Sequence, residues 1–204
     1  MANATSPRDP YDDKLDNLTD ADIAVILAEL RRRLKAPEIA AAHTCIRCGL
    51  CADACHYYLT NGELEDVPAH KLNLVLAVIK HHFTPGGRLA GGWVGARKLD
   101  RAMVREWVDA LFGRCSGCGR CTMNCTSGIN IHGLIRAARG ALAAAGLVPP
   151  ELQSTVMMAV ERGNNMGIPR DEWLETLAWI EEELRTCLLY TSDAADEEDS
   201  VDLG

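Results

Sequence analysis

Two cysteine runs with one shared spacing constrain this chain more than any other feature of its sequence. In each run the second and third cysteines follow at three-residue steps, and the fourth cysteine comes four residues after the third. This C-x2-C-x2-C-x3-C spacing is known for 4Fe–4S ligation, because closely spaced thiolates can fold around one corner of an iron–sulfur cube. The sequence therefore predicts eight cofactor-binding cysteines, which are Cys45, Cys48, Cys51, Cys55, Cys115, Cys118, Cys121 and Cys125.

The main chemical alternative to iron–sulfur clusters is a pair of zinc sites. Structural zinc is typically bound by two C-x2-C pairs that a loop separates. Here a third cysteine follows the second at the same step in both runs, which favours iron–sulfur ligation. Nearby side chains such as Arg47, Asp53 and Arg114 are poor ligands for soft iron–sulfide. Zinc sites and purely structural thiols remain as the weaker alternatives.

The fourth cysteine of each run raises the question of which cluster it binds. In two-cluster ferredoxins the fourth cysteine ligates the cluster of the other run, and we expect the same crossing here. Crossed ligation assigns the metal ligands as Cys45, Cys48, Cys51 and Cys125 for the first cluster, and as Cys115, Cys118, Cys121 and Cys55 for the second. The common run continues into proline, whereas His56 and Thr126 follow the fourth cysteines in this chain. Crossing would place the two clusters close together, which suits electron transfer.

The composition argues against several other kinds of protein. No 18-residue apolar run is present, and the polar N-terminus lacks the apolar segment of a signal peptide. In a reducing cytoplasm clustered thiols bind metal rather than pair as disulfides. No basic helix-turn-helix candidate and no Ser-His-Asp arrangement is recognisable, so we expect neither nucleic-acid binding nor a self-contained catalytic site. We expect a cytoplasmic protein without a membrane span, for which peripheral association at the inner face of the membrane is an option.

The last eighteen residues read differently from the rest of the chain. The stretch CLLYTSDAADE, residues 187–197, is the translation of a transposon-end sequencing adapter, and residues 201–204 continue as the adapter's flow-cell arm. We therefore expect residues 187–204 to be a sequencing-adapter artefact that truncates a longer gene. A native acidic tail is the alternative. Without this stretch the formal net charge changes from −8 to about −2, because it contains six acids and no bases.

The remaining sequence predicts an all-α protein. Ala, Leu and Val supply most of the apolar residues and aromatics make up only 5%, which favours helices over sheets. Residues 1–18 are expected to form a mobile leader, and residues 19–186 a single helical domain. Apolar periodicity and capping signals predict its helices near 19–35, 68–84, 100–112, 131–145, 151–161 and 169–185.

Two details of the second predicted helix matter later. Leu72, Val75 and Ile79 recur at helical spacing and form its apolar face, and Lys71 is expected to lie off that face. His81 and His82 end the helix, where partly cationic side chains suit the dipole, so both are expected at the surface.

With these motifs the chain resembles the helical dicluster domain of heterodisulfide-reductase-like and anaerobic glycerol-3-phosphate-dehydrogenase-like iron–sulfur subunits. The matching stretches are CIRCGLCADAC, GRCSGCGRCTMNC with Gly128 and Ile129, and LIRAARGAL, and the resemblance covers about residues 20–186. It implies a helical ferredoxin-like fold, two 4Fe–4S clusters and a place in a respiratory complex. The implied partners are flavin-linked or quinone- and haem-linked redox subunits, together with the C-terminal cysteine-rich domains that follow this domain in several relatives.

The favoured hypothesis is an electron-transfer iron–sulfur subunit of an anaerobic respiratory oxidoreductase complex. In that role the cysteines are ligands and not nucleophiles. The alternatives are an iron–sulfur sensor of redox state or oxygen, and a zinc-stapled interaction module.

Overall fold

A computed structural model describes residues 10–198, and the surroundings of side chains are described for residues 11–187. Residues 1–9 of the expected leader and residues 199–204 of the expected adapter stretch lie outside the described residues. All regular structure in the described range is helical, which confirms the all-α expectation. The helices are α1 (Pro10–Asp16), α2 (Asp20–Arg33), α3 (Ala36–Ala42), α4 (Leu50–Asp53), α5 (His56–Asn61), α6 (Pro68–Phe83), α7 (Pro85–Ala90), α8 (Arg101–Val108), α9 (Arg120–Met123), α10 (Ile131–Ala144), α11 (Pro150–Arg162) and α12 (Arg170–Glu198).

The chain divides into two compact units at Pro150. The first unit runs to Pro150 and contains both cysteine runs, and the second begins at Glu151 and consists of α11, a turn and α12. In that turn the Asn164 side chain accepts hydrogen bonds from the backbone N–H groups of Met166 and Ile168. Within the described residues no helix is both long and apolar enough to cross a membrane.

Helix α2 begins as the sequence predicts. The Thr19 hydroxyl accepts from the Asp22 N–H, and the Asp22 carboxylate accepts from the Thr19 N–H, which together form a capping box. Ile26 and Leu30 are fully buried where α2 packs on α10. The contact is close at Gly140, where a Cβ would come within 2.6 Å of the Arg33 guanidinium. A residue larger than glycine there would require the Arg33 side chain to move.

Helix α6 is the central helix of the first unit. Pro68 lies in its first turn, where a missing backbone N–H costs no hydrogen bond. Leu72, Val75 and Ile79 are fully buried as predicted. The expectation for Lys71 is wrong, because its side chain is only 1% exposed. This lysine belongs to the interior of the fold.

The predicted helix boundaries differ from the structure in three places. The predicted helix near 100–112 is α-helical only to Val108, and Asp109–Gly113 form a π-helical turn that leads into the second cysteine run. Pro37 lies in the first turn of α3 and so starts a helix as well as following one. Part of the expected leader, Pro10–Asp16, is helical, and Leu18 after it is buried. Mobility of residues 1–18 stays a prediction.

Candidate metal centre

The two cysteine loops repeat one backbone conformation. In the first loop Arg47 and Gly49 have positive φ angles of 56° and 85°, and in the second Gly117 and Gly119 have φ angles of 74° and 78°. Each left-handed pair occupies the same two places in its run, just before and just after the second cysteine. The two loops therefore share a left-handed residue on each side of the second cysteine.

A short helix follows each loop and carries the third cysteine of the run. Gly49 caps α4 and Gly119 caps α9, and these two helices contact each other. The Asn124 side-chain amide after α9 donates to the Leu50 carbonyl of α4 over 2.7 Å. The two cysteine runs are thus held side by side, although about 60 residues separate them in the chain.

The first cavity at this junction is lined by thiols from both runs. Its cysteines are Cys45, Cys48, Cys51 and Cys125. The Cys125 sulfur accepts from the Ile129 N–H over 3.4 Å, and the Cys48 sulfur lies 3.9 Å from the Thr126 hydroxyl. The remaining wall is mostly apolar or small and includes Ala69, Ile129 and Ile131.

The second cavity has the complementary set of thiols. Its cysteines are Cys55, Cys115, Cys118 and Cys121. Cys55 donates to the Asp66 carbonyl over 3.5 Å, which fixes the sulfur beside the start of α6. Unlike the first cavity, this one is lined by several polar side chains, namely Lys71, Arg114 and His132. The structure therefore groups the eight cysteines into the two crossed sets that the sequence suggests, while ligation itself stays a prediction.

Cys51 and Cys121 belong to different cavities, and in addition to burial, Cys51 contributes to the raised pKa of Cys121. Burial raises the pKa of Cys121 to about 11, and the nearby thiols of Cys115, Cys118 and Cys51 act in the same direction. Burial also raises the pKa of Cys51. Because Cys51 lines the first cavity and Cys121 the second, the two cavities are neighbours. Binding of metal at either one has to displace protons from buried thiols, since the thiolate is the ligand.

The residues at both cavities fit iron–sulfur clusters. Each cavity has four sulfur donors, the soft ligands that such clusters use. Among residues 11–187, no three His, Cys, Asp or Glu side chains are gathered closely enough to hold a single metal ion. A tetrahedral zinc site would need sulfurs about 3.8 Å apart, given a Zn–S distance of about 2.3 Å. Four sulfur donors around one cavity are the ligand set that a 4Fe–4S cluster uses.

A polar network that sequence analysis missed surrounds the second cavity. The Lys71 ammonium donates to the Asp66 carbonyl over 2.9 Å and to the Arg114 carbonyl, and lies 5.5 Å from the centre of the Tyr57 ring. The buried Asp66 carboxylate accepts from the Asn61 amide over 2.8 Å and pairs with the Arg114 guanidinium. This network joins the segment after Cys55 to the residue before Cys115, and so it fixes both ends of the second thiol set.

Two residues of α10 also reach the second loop. Arg139 donates to the Cys115 carbonyl over 2.9 Å, and a Cβ on Gly117 would lie 2.9 Å from its guanidinium. His132 lies beside Gly117 and Gly119, and burial, then Arg136 and Arg139, lower its pKa. The spacing of residues in the sequence does not single out Arg139 or His132.

Of the residues that sequence analysis missed, only Lys71 had a signal of burial in the sequence. It precedes the buried Val75 by four residues and Val78 by seven, and so it occupies an apolar register of α6.

Comparison with protein families agrees with this geometry. Residues 41–129, which span both cysteine runs, match the family model of the 4Fe-4S dicluster domain. This segment is a 4Fe–4S dicluster domain. The dicluster domain binds iron–sulfur clusters and is a module of electron transport, so the resemblance seen in the sequence is confirmed. No solved structure matches the chain.

Two archaeal proteins are similar to part of this chain. The Hdr-like menaquinol oxidoreductase iron-sulfur subunit of Archaeoglobus profundus is 37% identical over 124 residues, which are 61% of this chain and 22% of that protein. The Hdr-like menaquinol oxidoreductase iron-sulfur subunit 2 of Archaeoglobus fulgidus is 33% identical over the same length, with the same shares of both chains. The match thus spans about a fifth of the length of these curated relatives.

Proposed function

We propose that this chain is an electron-relay subunit that holds two 4Fe–4S clusters. The observation that carries the proposal is the grouping of eight thiols around two neighbouring cavities, four to each. An iron–sulfur cluster accepts and releases single electrons. The chain's own residues supply the thiolates, the backbone N–H groups of the two loops and the buried surroundings of both cavities.

We further propose that ligation is crossed. Cys45, Cys48, Cys51 and Cys125 are the metal ligands of the first cluster, and Cys115, Cys118, Cys121 and Cys55 are those of the second. The lining of the two cavities supports this assignment. The hydrogen bond from the Asn124 amide to the Leu50 carbonyl supports it too, because it holds the two runs in contact.

The setting we propose is a respiratory complex resembling the menaquinol oxidoreductases in which the two relatives are named as iron–sulfur subunits. The partners would be flavin-linked or quinone- and haem-linked redox subunits and cysteine-rich domains of the kind that follow this domain in several relatives. The chain would work at the cytoplasmic side, in peripheral contact with the membrane. Residues 19–186 would belong to the native subunit, and residues 187–204 would be adapter-derived.

Anaerobic reconstitution tests the cluster content. We expect about eight iron and eight sulfide per chain, and two paramagnetic signals after reduction. A chain that stops at Thr186 should give the same content, because the eight cysteines lie in the unit that ends at Pro150. The measurement is iron and sulfide analysis together with electron paramagnetic resonance.

Two outcomes would contradict the proposal. Four iron per chain would mean that only one cluster forms. Stoichiometric zinc without iron, in protein that stays colourless, would instead support the zinc-stapled interaction module.

A further inference from the structure

We propose that Lys71 makes the second cluster the easier of the two to reduce. An electron shared between the two clusters would then reside mainly on the second cluster, the one bound by Cys118. The inference rests on the proposed function, since it concerns how two bound clusters differ. It follows from an asymmetry in charge between the two cavities. Lys71 acts here as a buried cation that faces one thiol set and not the other.

The position of Lys71 is unusual for a lysine. Its side chain is 1% exposed and lines the second cavity together with Cys55, Cys115, Cys118 and Cys121. Its ammonium is bonded to two backbone carbonyls, those of Asp66 and Arg114, and lies over the Tyr57 ring. Buried lysines are rare unless they are paired with an opposite charge.

No carboxylate pairs with Lys71 among residues 11–187. The nearest acidic side chain in the network, Asp66, pairs instead with Arg114. Arg114 in turn bonds Glu63 and Asp109, which are 53% and 64% exposed, so solvent screens the charges of these two acids. Within the interior, Arg114 and Asp66 balance each other, and the Lys71 ammonium is the buried charge without a paired carboxylate that lines the cavity. An anion within that cavity is the missing counterion that would make its burial favourable.

Among the residues that the structure describes, the first cavity has no counterpart to Lys71. Its lining includes one cation, Arg47, whose side chain is exposed and screened by solvent. Ala69, Ile129 and Ile131 make up much of the remaining wall. At the second loop, by contrast, Arg139 adds a further cation through its bond to the Cys115 carbonyl. Charge favours added electrons at the second cavity and not at the first.

The consequence for electron transfer follows from electrostatics. Reduction adds one negative charge, and a fixed positive charge in a medium of low dielectric stabilises that charge more than it would in water. With both clusters bound, an electron would pass from the first cluster, which would be oxidised, to the second, which would be reduced, with no change in covalent bonds. The electron would come to the first cluster from a quinol- or flavin-linked subunit of the proposed complex.

The experiment compares variants at Lys71 in the reconstituted full chain. Lys71→Gln removes the charge but keeps an N–H2 group for the two carbonyls, and Lys71→Arg keeps the charge. Lys80→Gln is the matched control, since Lys80 is on the same helix and also donates to a carbonyl, that of Val94. A redox titration followed by paramagnetic resonance gives the reduced fraction of each cluster. The signal that Cys118→Ser perturbs identifies the second cluster.

In Lys71→Gln we expect the reduced-to-oxidised ratio of the second cluster to fall at least tenfold at a fixed potential, which is 59 mV for one electron. The first cluster should change much less. Lys80→Gln and Lys71→Arg should titrate like the unmodified chain. Loss of the second cluster in Lys71→Gln together with its retention at an unchanged potential in Lys71→Arg would also support the role of charge.

Two results would overturn the inference. One is an unchanged potential of the second cluster in Lys71→Gln. The other is loss of that cluster in both Lys71→Gln and Lys71→Arg, which would make Lys71 a structural link between Asp66 and Arg114 only. Neither result would affect the proposed function. That proposal fails separately, if the unmodified chain does not bind two clusters.

Discussion

At the scale of single residues, Arg47 and Gly117 make an informative pair. They occupy the same place in the two cysteine loops, and both have a positive φ, but only one of them is glycine. A side chain in the left-handed region costs about 1–2 kcal/mol, because Cβ approaches the backbone carbonyl. The first loop therefore contains backbone strain that the second loop lacks.

Arg47→Gly is expected to stabilise the protein by about 0.5–1 kcal/mol. Removal of the strain outweighs the extra chain entropy of glycine in the unfolded state, which costs about 0.5–1 kcal/mol. Gly117→Ala is expected to destabilise it by about 1 kcal/mol or more, because its new Cβ would also lie 2.9 Å from the Arg139 guanidinium. Anaerobic denaturant unfolding of the cluster-loaded variants measures both effects. Equal destabilisation by both substitutions would refute the strain at Arg47.

The cysteines could be predicted from the sequence, whereas the residues that surround them could not. A spacing of three and four residues is local, and one loop conformation satisfies it wherever the loop lies in the fold. The surroundings of Lys71 depend on which segments meet at α6, and those segments are 5 and 43 residues away in the chain. A lysine at an apolar register is normally assigned to solvent, since its burial requires partners that only the tertiary structure supplies.

At the scale of elements, the end of α6 has an unexpected pH response. His82 is half-buried, and its Nε2 accepts a hydrogen bond from the Leu99 N–H over 3.1 Å. Burial, followed by the nearby His81, Arg88 and Lys98, lowers the pKa of His82 from its ordinary 6.5. The expectation of an exposed, partly cationic histidine is therefore wrong for His82. Desolvation there outweighs the attraction of the helix C-terminus for a cation.

This lowered pKa predicts a loss of stability in acid. Above about pH 6.5 the histidine is neutral in both the folded and the unfolded chain. Below that pH the unfolded chain binds a proton that the folded chain resists, so the free energy of unfolding should fall by at most about 1.4 kcal/mol per pH unit until the folded pKa is reached. His82→Gln should reduce this slope, because its amide oxygen can accept from Leu99 without titrating.

The free energy of unfolding should be measured between pH 7.5 and pH 5.5 in the unmodified chain and in His82→Gln. His70→Gln is the control on the same helix, because His70 is not among the groups that lower the pKa of His82, and both variants have the same cysteine loops. If the slope is the same in His82→Gln and in the unmodified chain, His82 is not the group that responds.

Helix features that depend on residues close together in the sequence were predicted correctly. The α2 cap depends on Thr19 and Asp22, three residues apart, and the structure has the expected reciprocal hydrogen bonds. The end of the predicted helix near 100–112 was less accurate. Its last turn becomes π-helical where the chain passes into the second loop, a change that local periodicity does not encode.

At the scale of the whole molecule, crossed ligation predicts which cysteine variants should affect the same cluster. Neither cysteine loop considered alone makes this prediction. If Cys55 belongs with Cys118, then Cys55→Ser and Cys118→Ser should perturb the same cluster signal, and Cys48→Ser should perturb the other one. Serine is a harder and poorer ligand for iron–sulfide, so one edge of the cluster loosens. Paramagnetic resonance of the three variants, oxidised and reduced, makes the comparison.

The contrary pattern is equally clear. If Cys55→Ser matched Cys48→Ser, each run would bind its own cluster, and the shared lining of the cavities would not reflect ligation. The fold class was predictable because it depends on periodicity. The crossed grouping was expected by analogy with two-cluster ferredoxins, and as ligation it stays a prediction. The charge difference between the cavities was not predictable, because it arises from α6 and α10 and not from the cysteine runs.

The mixed lining of the two cavities has a consequence for how the protein is made. A nascent chain that has left the ribosome only as far as α8 exposes Cys45, Cys48, Cys51 and Cys55, yet no cavity then has all of its thiols. The second site has all of its thiols only once Cys121 has been synthesised, and the first only once Cys125 has been. Maturation factors that deliver iron and sulfide would therefore act on this chain after translation of the whole domain, and would have to load two sites in one folding event.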